Sequence, residues 1–379
     1  MKKLKNLNDL FDCAEKILRQ IKEKEKICLV YHDDSDGCSS AALFSILIHN
    51  LIGDYPLLFP VTGLENINNK LFYRLRVANP DYVFVFDVTV NPKMFDSFKG
   101  FVLDHHIFFN IEDRDNMLYF NPRVFEKKDE NVVPTSYMVY KILKKFNPTE
   151  NVAWIAAIGI TEDHRVNICK DIFEDVKKEG PGLIKIKEID QENIEKSFFG
   201  DLGDMVRSGR MVKGNEGAKT AVMALMECKN RPDKLINGLT QHSLALRRFY
   251  DKLVYETQNY LRDVEKEGVF YKNKKVIIYE QKRMRLRGLT SFLADKIRQK
   301  YPKWIVYVIN KSHESNKAKI SIRLEQKNRG EDLVKIIESL KKEISGIKGG
   351  GHKSAVGVIL DLDYEKDFEK RFLNSIKTS

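Results

Sequence analysis

The sequence contains little cysteine, and its five cysteines are too scattered to form a recognisable motif. None belongs to a CxxC pair, so the pattern predicts neither a zinc ribbon nor a disulfide framework. Long apolar runs are also missing, since none approaches the ~20 residues that span a bilayer. Residues 1–26 are charged and amphipathic, unlike a signal peptide. We therefore expect a protein of the reducing cytoplasm that has no membrane partner.

Internal repeats and low-complexity tracts are absent as well. The chain has 379 residues, a length that predicts two or three domains, and its 42% hydrophobic content is enough to build cores. Basic residues outnumber acidic ones, which gives a formal net charge of +11 and a pI near 9.1. Such a balance favours a polyanionic partner, or else a lysine-rich solvated surface.

Short apolar runs alternate with helical periodicities between residues 27 and 160. The alternation predicts an α/β domain with a mostly parallel sheet that is covered on both faces. We expect strands at 27–31, 57–59, 82–86, 101–103 and 118–120, and helices at 37–51, 64–77, 136–146 and 152–160.

Strand signals almost disappear between residues 189 and 267, where long amphipathic stretches predict a helical connector or a helical domain with its own ligand. A smaller α/β domain follows. Its expected strands are 269–271, 275–279, 304–309, 319–324 and 355–360, and its expected helices are 290–300, 331–344 and 365–376. These observations place the domain boundaries at 1–187, 188–267 and 268–379, with an active site in the groove between the two α/β domains.

Histidines and acidic residues gather where apolar runs end. The clusters are His32-Asp33-Asp34-Ser35-Asp36-Gly37, the single Asp87, Asp104-His105-His106 and Glu162-Asp163-His164. Because ligands collect at the strand ends of open α/β sheets, we expect the four clusters to converge on one metal site. In the first cluster, His32, Asp34 and Asp36 would share one face of an extended chain. The helix that follows Gly37 would offer N–H groups suited to phosphate.

Each cluster has an ordinary alternative when it is taken alone. The first could be an exposed acidic loop, and Asp87 could cap a following helical turn. Asp163 could pair with Arg165 or His164. Taken together, carboxylates with imidazoles and no thiolate favour a pair of Mn²⁺-type or Mg²⁺-type ions over structural zinc.

The four clusters, in this order, resemble the motifs of the DHH phosphoesterases, which take their name from the Asp-His-His seen here at 104–106. The segment 350–357, Gly-Gly-His-Lys-Ser-Ala-Val-Gly, resembles the signature of the DHH-associated domain, with Ser321-Ile322-Arg323 as a companion element. The likeness is to RecJ-like single-strand exonucleases of the archaeal type and covers most of the chain outside the connector. Manganese pyrophosphatases lack the glycine-rich domain, so that class is disfavoured.

The resemblance implies two metal positions that share one aspartate. The expected ligands are His32, Asp34 and Asp87 for one ion, and Asp36, Asp87, His105 and Asp163 for the other. The expected cofactor is a pair of Mn²⁺ ions, with Mg²⁺ or Co²⁺ as substitutes.

Two further residues of the third cluster are catalytic candidates under the same resemblance. His106 would face the scissile phosphate, as a ligand or as an electrostatic stabiliser. Asp104 would orient a histidine from behind. Asp33 falls at a variable position and is not expected to be a ligand, and Glu162 and His164 could be purely structural.

Substrate contacts are expected on the C-terminal domain. A basic run, Lys282, Arg283, Arg285 and Arg287, would touch phosphates or be a solvated surface run. Glycines would let a nucleic-acid backbone approach closely, or they would form a helix C-cap after residues 331–344. The substrate-binding candidates are Arg287, Ser321, Arg323, Gly350, Gly351 and His352.

These expectations combine into a Mn²⁺-dependent exonuclease that hydrolyses terminal phosphodiesters of single-stranded DNA or RNA to nucleoside monophosphates by two-metal catalysis. Its role would be in DNA replication, DNA repair or RNA turnover, with a replication or repair protein as a candidate partner. One alternative is an oligoribonuclease or 3′-phosphoadenosine phosphatase that takes very short substrates. Another is a non-catalytic replisome scaffold, which the complete ligand set disfavours. Polarity of digestion stays open.

Overall fold

The computed structural model describes the chain except for residues 1–3, 63–66, 109–115, 181–187, 283–285, 287, 326–329 and 378–379. The chain divides into two compact units, residues 1–251 and 252–379. Within the described residues, no helix combines the length and the apolarity needed to cross a membrane. All five cysteines are free thiols, and four of them are buried.

The first unit is built on a five-stranded sheet. Its strands are β1 (Ile27–His32), β2 (Leu57–Val61), β3 (Tyr82–Phe86), β4 (Lys99–Leu103) and β5 (Met117–Phe120). They lie in the order β2-β1-β3-β4-β5, and every neighbouring pair is parallel. The predicted α/β fold with a covered parallel sheet is confirmed. The chain reverses its direction of winding between β1 and β3, which is where open α/β sheets bind ligands.

Helices cover both faces of this sheet. The first unit contains α1 (Leu7–Leu18), α2 (Ser35–Ile52), α3 (Asn69–Ala78), α4 (Thr135–Phe146), α5 (Ala153–Glu162), α6 (Lys170–Glu179), α7 (Gln191–Glu195), α8 (Phe198–Lys213), α9 (Asn215–Glu227) and α10 (Pro232–Asn237), and α11 (Gln241–Glu267) crosses the boundary between the units.

Two apolar cores explain why the strands are apolar at nearly every position. On one face, the ring of Phe44 in α2 lies 4.8 Å from the rings of both Phe84 and Phe86 in β3. On the other face, Val83 and Val85 pack in a second core with residues of α3. A strand buried on both faces reads as a continuous apolar run, which is why its limits are visible in the sequence.

The helices of the expected connector belong to the larger of these cores. Phe199 and Leu202 of α8 and Leu225 of α9 are fully or almost fully buried in the same cluster as α2 and α5. Residues 188–251 therefore pack against the domain that carries the four motifs. The division into three domains at 187 and 267 remains a prediction.

The second unit contains a six-stranded mixed sheet. Its elements are β6 (Val269–Tyr271), β7 (Val276–Glu280), α12 (Leu289–Lys300), β8 (Ile305–Ser312), β9 (Lys317–Arg323), α13 (Leu333–Glu343), β10 (Lys348–His352), β11 (Ala355–Asp361) and α14 (Glu365–Ser375). The strand order is β10-β11-β9-β8-β7-β6, in which β7 and β8 are parallel and the other pairs are antiparallel.

Two local expectations need correction. The helix expected from residue 64 begins at Asn69, because the side chain of Asn68 accepts the N–H groups of Lys70 and Leu71 and so starts the helix there. The glycine-rich segment is not a helix C-cap. It forms strand β10, in which Gly350 pairs with Gly357 of β11.

Candidate metal centre

The side chains of the four motifs meet at the carboxyl edge of the parallel sheet. His32 ends β1, Asp87 follows β3, and His105 follows β4. Asp163 reaches the same place from the C-terminal end of α5. Parallel strands bring these positions together, although they are far apart in the chain.

One group of possible ligands contains His32, Asp34 and Asp87. His32 Nδ1 lies 2.5 Å from Asp34 Oδ2 and 3.6 Å from Asp87 Oδ2. Asp34 also caps α2 by accepting the N–H of Gly37 at 2.9 Å. A Cβ at Gly37 would lie 2.1 Å from the carbonyl oxygen of His32, so only glycine permits this tight turn.

A second group contains Asp36, His105 and Asp163. His105 Nε2 lies 3.1 Å from Asp163 Oδ2, 3.2 Å from Asp87 Oδ1 and 4.0 Å from Asp36 Oδ2. Asp87, His105 and His106 form a third, overlapping group. The structure thus brings together all six residues that the sequence nominates as metal ligands.

Asp87 lies between the two principal groups. Its Oδ2 faces His32 and its Oδ1 faces His105. The residue is 2% exposed and has a φ of 60°, a left-handed conformation that non-glycine residues rarely adopt and that clusters at functional sites. The alternative role of helix cap is wrong, because Asn91 caps the next helical turn.

The donor set fits divalent cations. Asp87 Oδ2 and Asp163 Oδ2 are buried and accept no hydrogen bond from the described residues. Burial and the facing Asp87 carboxylate raise the pKa of Asp36, and burial and Asp36 raise the pKa of Asp163. So many buried carboxylates need a positive charge between them to stay ionised together, and the cluster is able to bind a divalent metal.

Asp104 holds His106. Its Oδ1 lies 2.8 Å from His106 Nδ1, and its Oδ2 accepts hydroxyl hydrogen bonds from Thr89 and Tyr119, each at 2.9 Å. Burial opposes a charged imidazole, but the bond to Asp104 and the nearby Asp87 outweigh it and raise the pKa of His106 to about 9. The His106 side chain is 47% exposed, so a positive, oriented imidazole is presented to solvent at the rim of the cluster.

The second unit displays its candidate residues on a sheet. Ser321 of β9 and Gly350 of β10 both lie opposite Gly357 of β11 and so share one face. A Cβ at Gly350 would meet nothing within 4 Å, whereas one at Gly351, whose φ is 149°, would lie 2.2 Å from the Ala355 carbonyl oxygen. Gly350 therefore leaves open space above the sheet, and Gly351 is required by the strand pairing.

Other candidates of the second unit are engaged or lie outside the described residues. Arg323 Nε donates to Asp295 Oδ1 at 2.8 Å, so its guanidinium is held against α12. Lys282 pairs with Glu267 at 2.8 Å. Arg287 and its neighbours at 283 and 285 lie outside the described residues, as does the side chain of His352.

Comparisons with known proteins agree with this architecture. Residues 273–378 match the model of the DHHA1 domain. RecJ from Thermus thermophilus, solved with Mn²⁺, superposes with a TM-score of 0.67 at 16% identity, covering 98% of this chain and 54% of that one. The chain has a RecJ-like fold. The present chain spans about half the length of the Thermus thermophilus RecJ chain.

Two other solved structures have a similar fold. The DHH domain of a protein assigned to a family of ribosomal proteins superposes with a TM-score of 0.69 at 15% identity, covering 98% of this chain and 91% of that one. A pGpG-specific phosphodiesterase, PggH from Vibrio cholerae, gives 0.52 at 13% identity, with coverage of 92% and 98%. No curated protein matches the chain by sequence.

Three residues that support this metal cluster were missed by sequence reasoning. Asp36 accepts the backbone N–H groups of Thr135 and Ser136, both at 2.9 Å, at the first turn of α4, where the helix dipole favours a carboxylate. A Cβ at Gly159 in α5 would lie 2.6 Å from Asp36 Oδ1, so a glycine there makes room for the ligand. The sequence signals were a helix start after Pro134 and a glycine inside an apolar helix.

The phosphate site expected at the start of α2 needs correction. The helix begins at Ser35, whose N–H donates to Glu162 Oε2 at 2.5 Å. The N–H of Gly37 is taken by Asp34 Oδ1, and that of Cys38 by the Asp34 carbonyl. These three donors already have partners within the chain, so they are not available to a phosphate.

The remaining acidic and basic neighbours are engaged elsewhere. Asp33 accepts from Thr62 Oγ1 at 3.0 Å and pairs with Arg210 at 3.2 Å. Arg165 pairs with Asp129, and His164 Nδ1 lies 2.5 Å from Glu195 Oε1. The alternative in which Asp163 pairs with Arg165 or His164 is therefore wrong.

Proposed function

We propose that the chain is a phosphodiesterase that uses two divalent ions, with Mn²⁺ as the preferred ion, to release nucleoside monophosphates from an end of single-stranded DNA or RNA. The observation that carries this proposal is Asp87. Its two carboxylate oxygens face different ligand groups, at 3.6 Å from His32 and 3.2 Å from His105. A shared carboxylate of this kind is what a pair of adjacent ions requires.

The residues would divide between two ions as the two groups suggest. His32, Asp34 and Asp87 would hold one ion, and Asp36, His105 and Asp163 would hold the other together with Asp87, whose Oδ1 faces His105. When bound, such ions supply a nucleophile at neutral pH and neutralise charge on the phosphoryl group. The N–H groups at the start of α4 hold Asp36 in place, and Gly159 leaves the space it occupies.

His106 would act on the scissile phosphate. Asp104 binds its Nδ1, which orients the imidazole and favours its protonated form. A cationic donor at the exposed rim of the cluster would neutralise a non-bridging phosphate oxygen. Asp104 is buried behind His106 and would act through it.

The open face of the second sheet would bind the nucleic-acid strand. Gly350 and Gly357 leave its surface without side chains next to Ser321. In the next row of cross-strand neighbours on the same face, Ile359 lies between Lys348 and Lys319. Both lysines and the isoleucine are exposed. A bare strip flanked by positive charges suits a sugar–phosphate backbone, and the net charge of +11 agrees with a polyanionic ligand.

The test is digestion of single-stranded DNA and RNA oligomers labelled at either end, with and without Mn²⁺. We expect a metal-dependent ladder that releases mononucleotides, and the label released first gives the polarity. Asp87→Asn is the control for contaminating nucleases, since asparagine tolerates the same backbone conformation and has the same shape.

Each other outcome points to a different function. Hydrolysis confined to dimers through pentamers would replace the exonuclease with an oligoribonuclease or a phosphatase of 3′-phosphoadenosine type. Lack of hydrolysis with every divalent metal would replace it with a non-catalytic scaffold. Equal activity of the wild type and Asp87→Asn would contradict the site assignment.

A further inference from the structure

Helix α8 lies outside the four motifs, yet one of its faces touches two of them. Gly203, Arg207 and Arg210 are spaced i, i+4 and i+7, so they share a face of the helix. The Gly203 carbonyl accepts the Ser35 hydroxyl at 3.1 Å, and Arg210 Nη1 lies 3.2 Å from Asp33 Oδ1. The helix thus contacts both residues that flank Asp34 in the first motif.

Arg210 and Thr62 hold Asp33 from two sides. Asp33 is 2% exposed; its Oδ2 accepts from Thr62 Oγ1 at 3.0 Å, and its N–H donates to the Val61 carbonyl at 3.0 Å. Both contacts lie at the end of β2. The segment that carries His32, Asp34 and Asp36 is therefore fastened between β2 and α8.

Arg207 extends this attachment to the fourth motif. Its Nη2 donates to Glu162 Oε1, while Glu162 Oε2 accepts the Ser35 N–H at 2.5 Å. Glu162 immediately precedes the candidate ligand Asp163. One carboxylate therefore connects α8, the start of α2 and the turn after α5, so the ligands of the two groups share a common support.

The backbone of α8 is itself tightly placed. A Cβ at Gly209 would lie 2.4 Å from the Gly217 carbonyl oxygen, and a Cβ at Gly217 would lie 1.8 Å from the Gly209 carbonyl oxygen. These glycines let α8 and α9 touch backbone to backbone. Leu202 and Val206, beside the polar face, are buried in the larger core of the first unit. The polar face is thus carried on a helix that has little freedom to shift.

We propose that α8 is a positioning element for the metal centre, in which Arg207 and Arg210 set the separation of the first and fourth motifs. This inference rests on the proposed function only in so far as it requires the cluster to bind divalent ions. Groups that orient metal ligands from behind typically change metal affinity by about 10–100-fold when they are removed. Arg207 and Arg210 are positioning residues in this account, because they act through Glu162 and Asp33.

The test measures Mn²⁺ binding to the full chain by electron paramagnetic resonance of the unbound ion. We expect Arg210→Gln to weaken binding by about 10–100-fold and Arg210→Lys, which keeps the charge, to retain most of it. Should Arg210→Gln fail to fold, Asp33→Asn/Arg210→Gln removes both charges and leaves no buried unpaired carboxylate. Arg231→Gln is the matched control, since Arg231 pairs with Asp233 on the surface of the same unit.

Wild-type affinity in folded Arg210→Gln and in the double variant would overturn the inference. A parallel measurement of turnover against Mn²⁺ concentration adds a second readout, in which the variant needs more Mn²⁺ but reaches a similar maximal rate. The proposed function is judged separately, because Mn²⁺ binding by a wild-type chain that hydrolyses no oligomer would contradict that function and leave the role of α8 standing.

Discussion

The candidate ligand-binding surfaces of the two units differ in how many side chains they carry. The carboxyl edge of the first sheet crowds ionisable side chains into a buried place, where Asp36 and Asp87 are at most 2% exposed. The open face of the second sheet lacks side chains at one row, because Gly350 and Gly357 pair with each other there. The first arrangement suits small cations that bind several ligands at once, and the second suits a long polyanion that needs access.

This difference decides which residues are sensitive to change. At the buried edge, the space beside Asp36 is already filled, so an added atom there displaces a neighbouring side chain. On the open face of the second sheet, an atom added at Gly350 meets no other atom of the protein and would displace only a bound ligand. A glycine-to-alanine substitution is therefore expected to lower stability beside the buried cluster and to lower ligand affinity on the open face.

The largest effect is expected at Gly159. Its added Cβ would lie 2.4 Å from Ser136 Oγ and 2.6 Å from Asp36 Oδ1. Gly159→Ala should lower the free energy of unfolding by about 1–3 kcal/mol through overpacking, and turnover by roughly 100-fold through displacement of Asp36. Denaturant unfolding and oligomer digestion measure the two effects.

Gly203→Ala is the matched control for stability, since a Cβ there meets nothing within 4 Å. Removing a glycine from the interior of α8 should raise the free energy of unfolding by up to about 1 kcal/mol. Equal destabilisation by both variants would mean that glycine content, rather than the space beside Asp36, explains the result.

A smaller effect is expected from neighbouring glycines of β10. Gly350→Ala should leave the free energy of unfolding within about 0.5 kcal/mol of the wild type and weaken binding of a single strand by about tenfold, because its Cβ enters the ligand's space. Gly351→Ala should destabilise the chain by about 1–3 kcal/mol, since it combines a φ of 149° with a clash. Loss of stability in Gly350→Ala, or unchanged binding, would contradict an open binding strip.

The smallest effect concerns charge on the same face. Lys319→Gln/Lys348→Gln should reduce the salt dependence of single-strand binding, with the slope of log affinity against log salt concentration smaller by about 1.4 if each lysine meets one phosphate. Fluorescence anisotropy at several salt concentrations measures this slope. The control Lys272→Gln/Lys303→Gln removes two exposed lysines elsewhere in the second unit; an equal change there would indicate a diffuse charge effect.

Part of the metal centre is visible in the sequence, and part depends on the fold. The ends of β1, β3 and β4 could be read locally, because strands buried on both faces are continuous apolar runs and the polar residues that follow them stand out. Asp87 and His105 were nominated in this way. Their convergence follows from the parallel order of the strands, which the alternation with helices predicts.

Supports that depend on distant contacts could not be predicted. Thr135 binds Asp36 across 99 residues, and Arg210 pairs with Asp33 across 177 residues. The helix start after Pro134 marks Thr135 only as an N-terminal helix residue, and an arginine on an amphipathic helix is an ordinary feature, so neither pattern specifies the distant carboxylate it contacts. The glycine-rich strand was ambiguous for a different reason: glycine has a low strand propensity, and β10 forms through its pairing with β11.

The number of Mn²⁺ ions that the chain binds, measured by electron paramagnetic resonance of the unbound ion, tests whether Asp87 is shared by two metal ions. We expect two ions for the wild type and for Asp54→Asn, which alters an exposed aspartate of the same unit. Asp87→Asn should bind at most one ion with comparable affinity, because the shared carboxylate is gone. Two ions bound with unchanged affinity in Asp87→Asn, or fewer than two in the wild type, would contradict a centre built around Asp87.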